Sequence, residues 1–275
     1  MTLSALVRRS VTYHWRTNLA VILGVAAAVS VLAGALVVGD SVRGSLRDIA
    51  LGRLGRTDQV VASSGFFRDA LATDLRNQAG VTGTAPLIIA NGFVTHEASG
   101  RRSAGVLVYG VDERFWQFNG LDVPDGVYAS PALATELGAK EGDVLLTRLQ
   151  RPSEIPIESL FGRKDEVGRT VRLTVNGIQP RERLGEFALQ PQQTEVRAVF
   201  APLRRIQRDL AVPEQVNTVL VSGAASLDTL RSTLKLEDLG ARVEVVAVEP
   251  RVAVESASGI ISEELEQAAL RAAQE

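Results

Sequence analysis

The chain has 275 residues, 45% hydrophobic and 23% charged, enough for one large domain or two small ones with a real core. Its formal net charge of -2 gives no whole-protein pull toward nucleic acid. With no cysteine, it has no disulfides, no thiol catalysis and no Cys-based metal or iron–sulfur site, while the compartment stays open.

Residues 19–38 read LAVILGVAAAVSVLAGALVV, without a single charge. As a helix this run spans about 30 Å, the thickness of a bilayer's hydrocarbon core. Tyr13 and Trp15 precede it as interfacial aromatics do, and Arg8, Arg9 and Arg16 lie on that side with no acidic residue among them. Ala33-Gly34-Ala35 has the small-x-small look of a cleavage site, but a signal peptide's apolar region runs only about 7–15 residues. The segment therefore reads as a retained membrane helix. Small residues four apart, Gly24 with Ala28 and Ser30 with Gly34, are candidate helix-packing positions. Arg43, Arg47, Arg53 and Arg56 follow the helix, so a count of basic residues does not choose a side. The short, acid-free start favours a cytoplasmic N-terminus for 1–18, with the bulk of the chain across the membrane.

Beyond Asp40, Val42, Leu46, Ile49 and Leu54 recur at near-helical spacing, which predicts an amphipathic stalk over 39–57. The pattern then changes to short elements. Strands are expected at 58–63, 87–97 and 101–112, the last two as an antiparallel pair joined at Ala98-Ser99-Gly100, with a helix at 68–79. Residues 113–118 read as a short helix or turn. Strand 127–130 leads into a helix with Ser130 as N-cap, Pro131 first and Gly138 past the end. Strand 144–149 follows the turn KEGD, and 151–167 reads as an exposed loop. Strands at 168–178, 197–203, 216–223, 241–248 and 251–256, with helices at 204–210 and 227–235, complete the domain. The fold class is α+β, an anchored domain over 58–258 with a second, mostly β subdomain at about 121–200. Residues 259–275 read as a terminal helix with acids in its first turn, leading toward a second membrane segment beyond the sequence.

The sequence has no phosphate-cradling G-x-x-x-x-G-K-[ST], no G-x-G-x-x-G after a strand and no G-x-S-x-G elbow. The two histidines, His14 and His96, flank the membrane helix and share no site under this topology; His96 is expected as a half-exposed strand residue. Asp165-Glu166 and Glu263-Glu264 read as solvated or dipole-complementing charges, not acid/base pairs. Phe115, Trp116 and Phe118 read as a core anchor in preference to a ligand platform. Arg101-Arg102 and Arg204-Arg205 lack interleaved aromatics, so nucleic acid is not a partner. No catalytic, metal or cofactor site is expected, and the chain is not read as an enzyme.

The run Gly39-Asp40-Ser41-Val42-Arg43-Gly44-Ser45-Leu46 after a first membrane helix resembles the start of FtsX-type, MacB-like ABC transporter permeases. YASPALATELGAKEGD (128–143) and AVFAPLRRIQ (198–207) resemble that family's recurring structural elements. The resemblance implies an inner-membrane permease subunit, working as a homodimer or heterodimer in the lipid bilayer with a separate ATP-binding cassette ATPase. It also implies a periplasmic core domain moved by the membrane helices. Family members carry further membrane helices after this domain, so the sequence is expected to be an N-terminal fragment. The alternative is a single-pass membrane-anchored extracytoplasmic binding or sensing module.

Overall fold

Apolar residues in the strands come in unbroken runs, as strands covered on both faces require. The computed structural model describes residues 3–150, 169–192, 194–246, 251–256, 266 and 270. The expected loop at 151–167 and the acidic pairs at 165–166 and 263–264 lie outside these residues. So does the terminal helix, except Glu266 and Leu270, both helical. The chain divides into two units, residues 1–52 and 53–275.

The first unit is helical. Helix α1 (Leu3–Tyr13) ends at a turn on His14, and α2 (Trp15–Leu54) follows as one continuous helix of 40 residues. At 1.5 Å per residue α2 is about 60 Å long, twice the depth of a hydrocarbon core. None of its residues is buried, and Val31, Leu36 and Val37 are each about two-thirds or more exposed. A helix of this length and composition is long and apolar enough to cross a membrane.

The second unit is built on a nine-stranded mixed sheet. Strand β1 (Gln59–Arg68) runs antiparallel to β9 (Gln215–Gly223), pairing Val61 with Val219. The other edge of β9 takes the first half of the long strand β2 (Val81–His96), with Ala85 opposite Leu220. The second half of β2 pairs with β3 (Arg102–Val111) on one side and β5 (Val144–Leu149) on the other. Strand β3 is parallel to β8 (Ala198–Pro202), which borders β4 (Tyr128–Ala129) and then β7 (Gly177–Ile178). Strand β6 (Thr170–Thr174) closes the β5 side, and β10 (Ala241–Val246) pairs with β11 (Arg251–Ser256) in a separate ribbon.

Successive strand residues enter opposite layers. Ile88, Val108, Val199 and Val219 face α3 (Leu71–Arg76), α5 (Pro131–Leu137) and α6 (Leu203–Leu210). Leu87, Tyr109, Phe200 and Leu220 face α4 (Glu113–Phe118) and the segment carrying Leu184 and Phe187. Helix α7 (Leu227–Thr233) and a 3-10 turn at Leu236–Leu239 lead into β10. The Asp238 side chain, with no exposed surface, takes two hydrogen bonds from the Arg68 guanidinium at 2.9 and 2.6 Å, fixing this turn to β1.

Several boundaries differ from the sequence reading. The expected helix at 68–79 shrinks to α3, and β2 begins six residues earlier than expected. The single strand expected at 168–178 is two, because Asn176 breaks it. The Asn176 backbone N–H donates to Val127 O, and its side-chain Oδ1 accepts from Val127 N, both at 2.7 Å. The strands of residues 121–200 hydrogen-bond into the same sheet as the rest.

Candidate functional site at the base of the domain

The residues singled out for chemistry do not converge. His96 ends β2 and is 5% exposed, so the expectation of half-exposure is corrected. Its Nδ1 lies 2.7 Å from Ser99 Oγ and its Nε2 3.2 Å from Asp143 Oδ2. The order Ser–His–Asp is that of a hydrolytic triad, but each member locks a turn. Ser99 Oγ also accepts from Arg101 N across the hairpin, and Asp143 Oδ2 accepts from Lys140 N at 2.8 Å. Among the described residues no three His, Asp or Glu side chains gather to hold a metal ion.

Phe115 and Trp116 are buried and Phe118 packs beside them, so the aromatic group is core. Arg101 and Arg102 sit at the β2–β3 hairpin and Arg204 and Arg205 on α6, in separate parts of the fold. Gly24, Ala28, Ser30 and Gly34 are all exposed on α2. At 100° per residue the two pairs point about 120° apart, so they make two patches and not one stripe.

A further polar constellation was not singled out by spacing. It surrounds Arg53 and Gly55, where α2 ends. Gly55 has φ 61°, the left-handed cap that stops a helix, and a Cβ there would overlap Asn119 Oδ1. That oxygen accepts from Arg56 N at 3.1 Å, while Asn119 Nδ2 donates to Phe115 O at 3.0 Å. Two residues earlier, Arg53 Nη2 meets Glu186 Oε2 at 3.0 Å, with side chains only 10% and 11% exposed. Arg53 also donates to Gln192 O at 2.7 Å and Thr194 O at 3.1 Å. The other Glu186 oxygen lies 2.8 Å from Arg181 Nε, and Arg181 also pairs with Glu195.

The segment beside Glu186 ties this charge cluster to the core. Ala188 N donates to Arg53 O at 3.3 Å, and Phe187 O accepts from Tyr109 Oη at 2.8 Å. The Phe187 ring packs edge-on to Tyr109 and Phe115, with centroids 5.3 and 5.2 Å away. Burial pushes the Tyr109 phenol well above its ordinary pKa. A closed circuit results: Arg53 to Glu186, Phe187 to Phe115, and Asn119 back to Arg56. The circuit joins residues 53–56 to hydrogen-bonded and packed partners on two elements.

Across residues 17–239 the sequence matches the model of the MacB-like periplasmic core domain. The chain belongs to this family. The MacB-like domain also has likenesses among solved structures. One is the extracellular domain of the noncanonic ABC-type transporter YknZ from Gram-positive bacteria, at 12% identity and TM-score 0.37, covering 61% of this chain and 78% of that one. Another is the periplasmic region of MacB from Actinobacillus actinomycetemcomitans, at 10% identity and TM-score 0.38, covering 76% of this chain and 84% of that one. Nothing matches among curated proteins. The match begins within α2, the helix long and apolar enough to cross a membrane.

Proposed function

We propose that the chain is a permease subunit that couples ATP hydrolysis on a separate ATPase subunit to movement of its extracytoplasmic domain, and performs no chemistry itself. In this reading the N-terminus lies in the cytoplasm of a cell with the domain outside the inner membrane. Two such chains, or this chain and a related permease, pair through α2, with Gly24/Ala28 or Gly34 at the crossing. The observation that carries the reading is the circuit around Arg53. Arg53 and Leu54, the last two residues of α2, belong to the domain's compact unit, and Arg53 is hydrogen-bonded within it.

Topology is checked by a reporter enzyme active only outside the cytoplasm, fused after Gly55; a silent fusion reverses the orientation. For coupling, the full chain is purified from its native membranes with any associated ATPase. Because the chain has no native cysteine, a fluorophore on Ser63→Cys reports on the domain specifically. ATP is expected to change its emission, and Arg53→Ala to abolish the change while the ATPase stays bound and active. Absence of an ATPase, together with an emission unmoved by ATP, supports instead the single-pass binding or sensing module.

A further inference from the structure

Strand β2 stays covered on one face and loses its cover on the other. Its even-numbered side chains Ile88, Val94 and His96 are all buried. The odd-numbered side runs from Leu87, fully buried in the layer of α4, to Phe93, which is 51% exposed. A β-bulge widens the bare region. Gly92 pairs with Val106 and Val94 with Ser103, so Phe93 faces two residues of β3, Ala104 and Gly105. Gly105 has φ 64°, and a Cβ there would meet nothing within 4 Å. On the β3 side the aromatic ring therefore stands next to a methyl group and bare backbone.

The charge on this face has one sign. Strands β2, β3, β5 and β6 contain no aspartate or glutamate, whereas Arg102, Arg148 and Arg172 lie on β3, β5 and β6 and are exposed. The ladder puts all three on the side of Phe93. Arg148 stands directly opposite Phe93, and Arg102, Thr95, Leu146 and Arg172 form the next row across the four strands. At about 4.8 Å per strand, the backbones of the two outer arginines are about 14 Å apart. Arg172 Nη2 meets Glu97 Oε2 at 2.6 Å, just past the end of β2. Among the described residues Arg102 and Arg148 pair with no carboxylate.

We propose that this face docks an acidic segment of a partner protein, with an apolar side chain seated against Phe93 over the Ala104–Gly105 bulge and carboxylates on Arg148 and Arg102. The face itself sets the chemistry of the occupant. An exposed aromatic ringed by arginines has the composition enriched in protein–protein contacts. Its single sign of charge selects carboxylates and repels a second copy of the same face. The circuit around Arg53 makes no use of these residues, so the proposal stands apart from the coupling reading.

The test uses the full chain in phosphatidylcholine nanodiscs. Because the chain has no native cysteine, a fluorophore on Thr170→Cys, across β5 from Phe93, reports on the face alone. The probes are two synthetic amphipathic peptides with the same leucines, one with glutamate and one with lysine at every polar position. The glutamate peptide is expected to change the emission saturably, and the lysine peptide to leave it unmoved. Phe93→Ala and Arg148→Glu should each weaken the glutamate peptide about ten-fold at low salt, with the Arg148 effect shrinking as salt is added. Both side chains are exposed, so the unfolding midpoint should hold in each variant and separate lost docking from lost folding. An equal response to the two peptides overturns the proposal. So does binding that needs Arg148 but not Phe93, which describes a bare anion patch. An emission that changes with the concentration of the chain alone assigns the face to a second copy and also overturns it. The same holds for binding that appears only when residues 151–167, which connect β5 to β6, are replaced by a short Gly-Ser linker.

Discussion

Replacing Arg53 by alanine should destabilise the domain by about 2–4 kcal/mol. Breaking one side of a buried ion pair costs roughly 3–5 kcal/mol, because the remaining charge is stranded. Here Arg181 still stands 2.8 Å from the other Glu186 oxygen and offsets part of that penalty. Against this offset, Arg53→Ala also orphans the carbonyls of Gln192 and Thr194. Arg53→Lys keeps the charge but cannot serve three acceptors with a planar fork, so about 1–2 kcal/mol is expected. The double variant Arg53→Ala/Glu186→Ala removes the stranded carboxylate and should be less destabilised than the sum of its singles. The assay is urea unfolding of the full chain in detergent micelles, followed by Trp116 emission. A Trp15→Phe background leaves Trp116, 4% exposed, as the only tryptophan. A loss below about 0.5 kcal/mol for Arg53→Ala, or strict additivity in the double variant, would refute the idea that Glu186 depends on Arg53.

Gly55→Ala should lower the unfolding midpoint, since it combines left-handed strain of about 1 kcal/mol with an overlap on Asn119. Adding Asn119→Ala should recover the steric part, and no recovery would locate the loss elsewhere. For Tyr109 the folded pKa is raised, so its contribution is intact below the unfolded value of about 10 and declines as pH rises past it. Tyr109→Phe, which loses the bond to Phe187 O, should cost about 1 kcal/mol at neutral pH and give a shallower decline in alkaline unfolding curves. An equally steep decline would mean that Tyr109 does not titrate with unfolding. Gly34→Leu places a bulky side chain where nothing now lies within 4 Å in the isolated chain. It should reduce cross-linking between copies in membranes, and unchanged cross-linking and activity would remove that patch from the crossing.

Much of the core was legible because the strands at 106–111 and 198–201 carry no charged or amide side chain and 216–221 is apolar except at Asn217 and Thr218, as a two-sided sheet demands. Helix α5 was legible from its punctuation. Ser130 Oγ accepts from Leu133 N, Pro131 starts the helix and Gly138 closes it at φ 67°. The first half of β2 was hidden by Gly83 and Pro86, which weaken any strand signal, although Pro86 sits in register with Val219. The parallel β3–β8 pair joins segments too far apart in sequence for any local pattern to register. Arg53 looked like one of four basic residues after the membrane helix, and Glu186 like a loop charge. Only tertiary packing reveals that both are nearly buried. His96 was misjudged for the same reason, because its two partners arrive from separate turns.

The position of β9 has a consequence for when the protein acquires its form. In the nine-stranded sheet β1 has no other neighbour, and its Gln59 side chain hydrogen-bonds Ala225, 166 residues further on. While the chain is being made, β1 therefore waits as an unclosed edge until β9, near the far end of the domain, has been synthesised. The first strand of the sheet to be made is thus among the last to be paired.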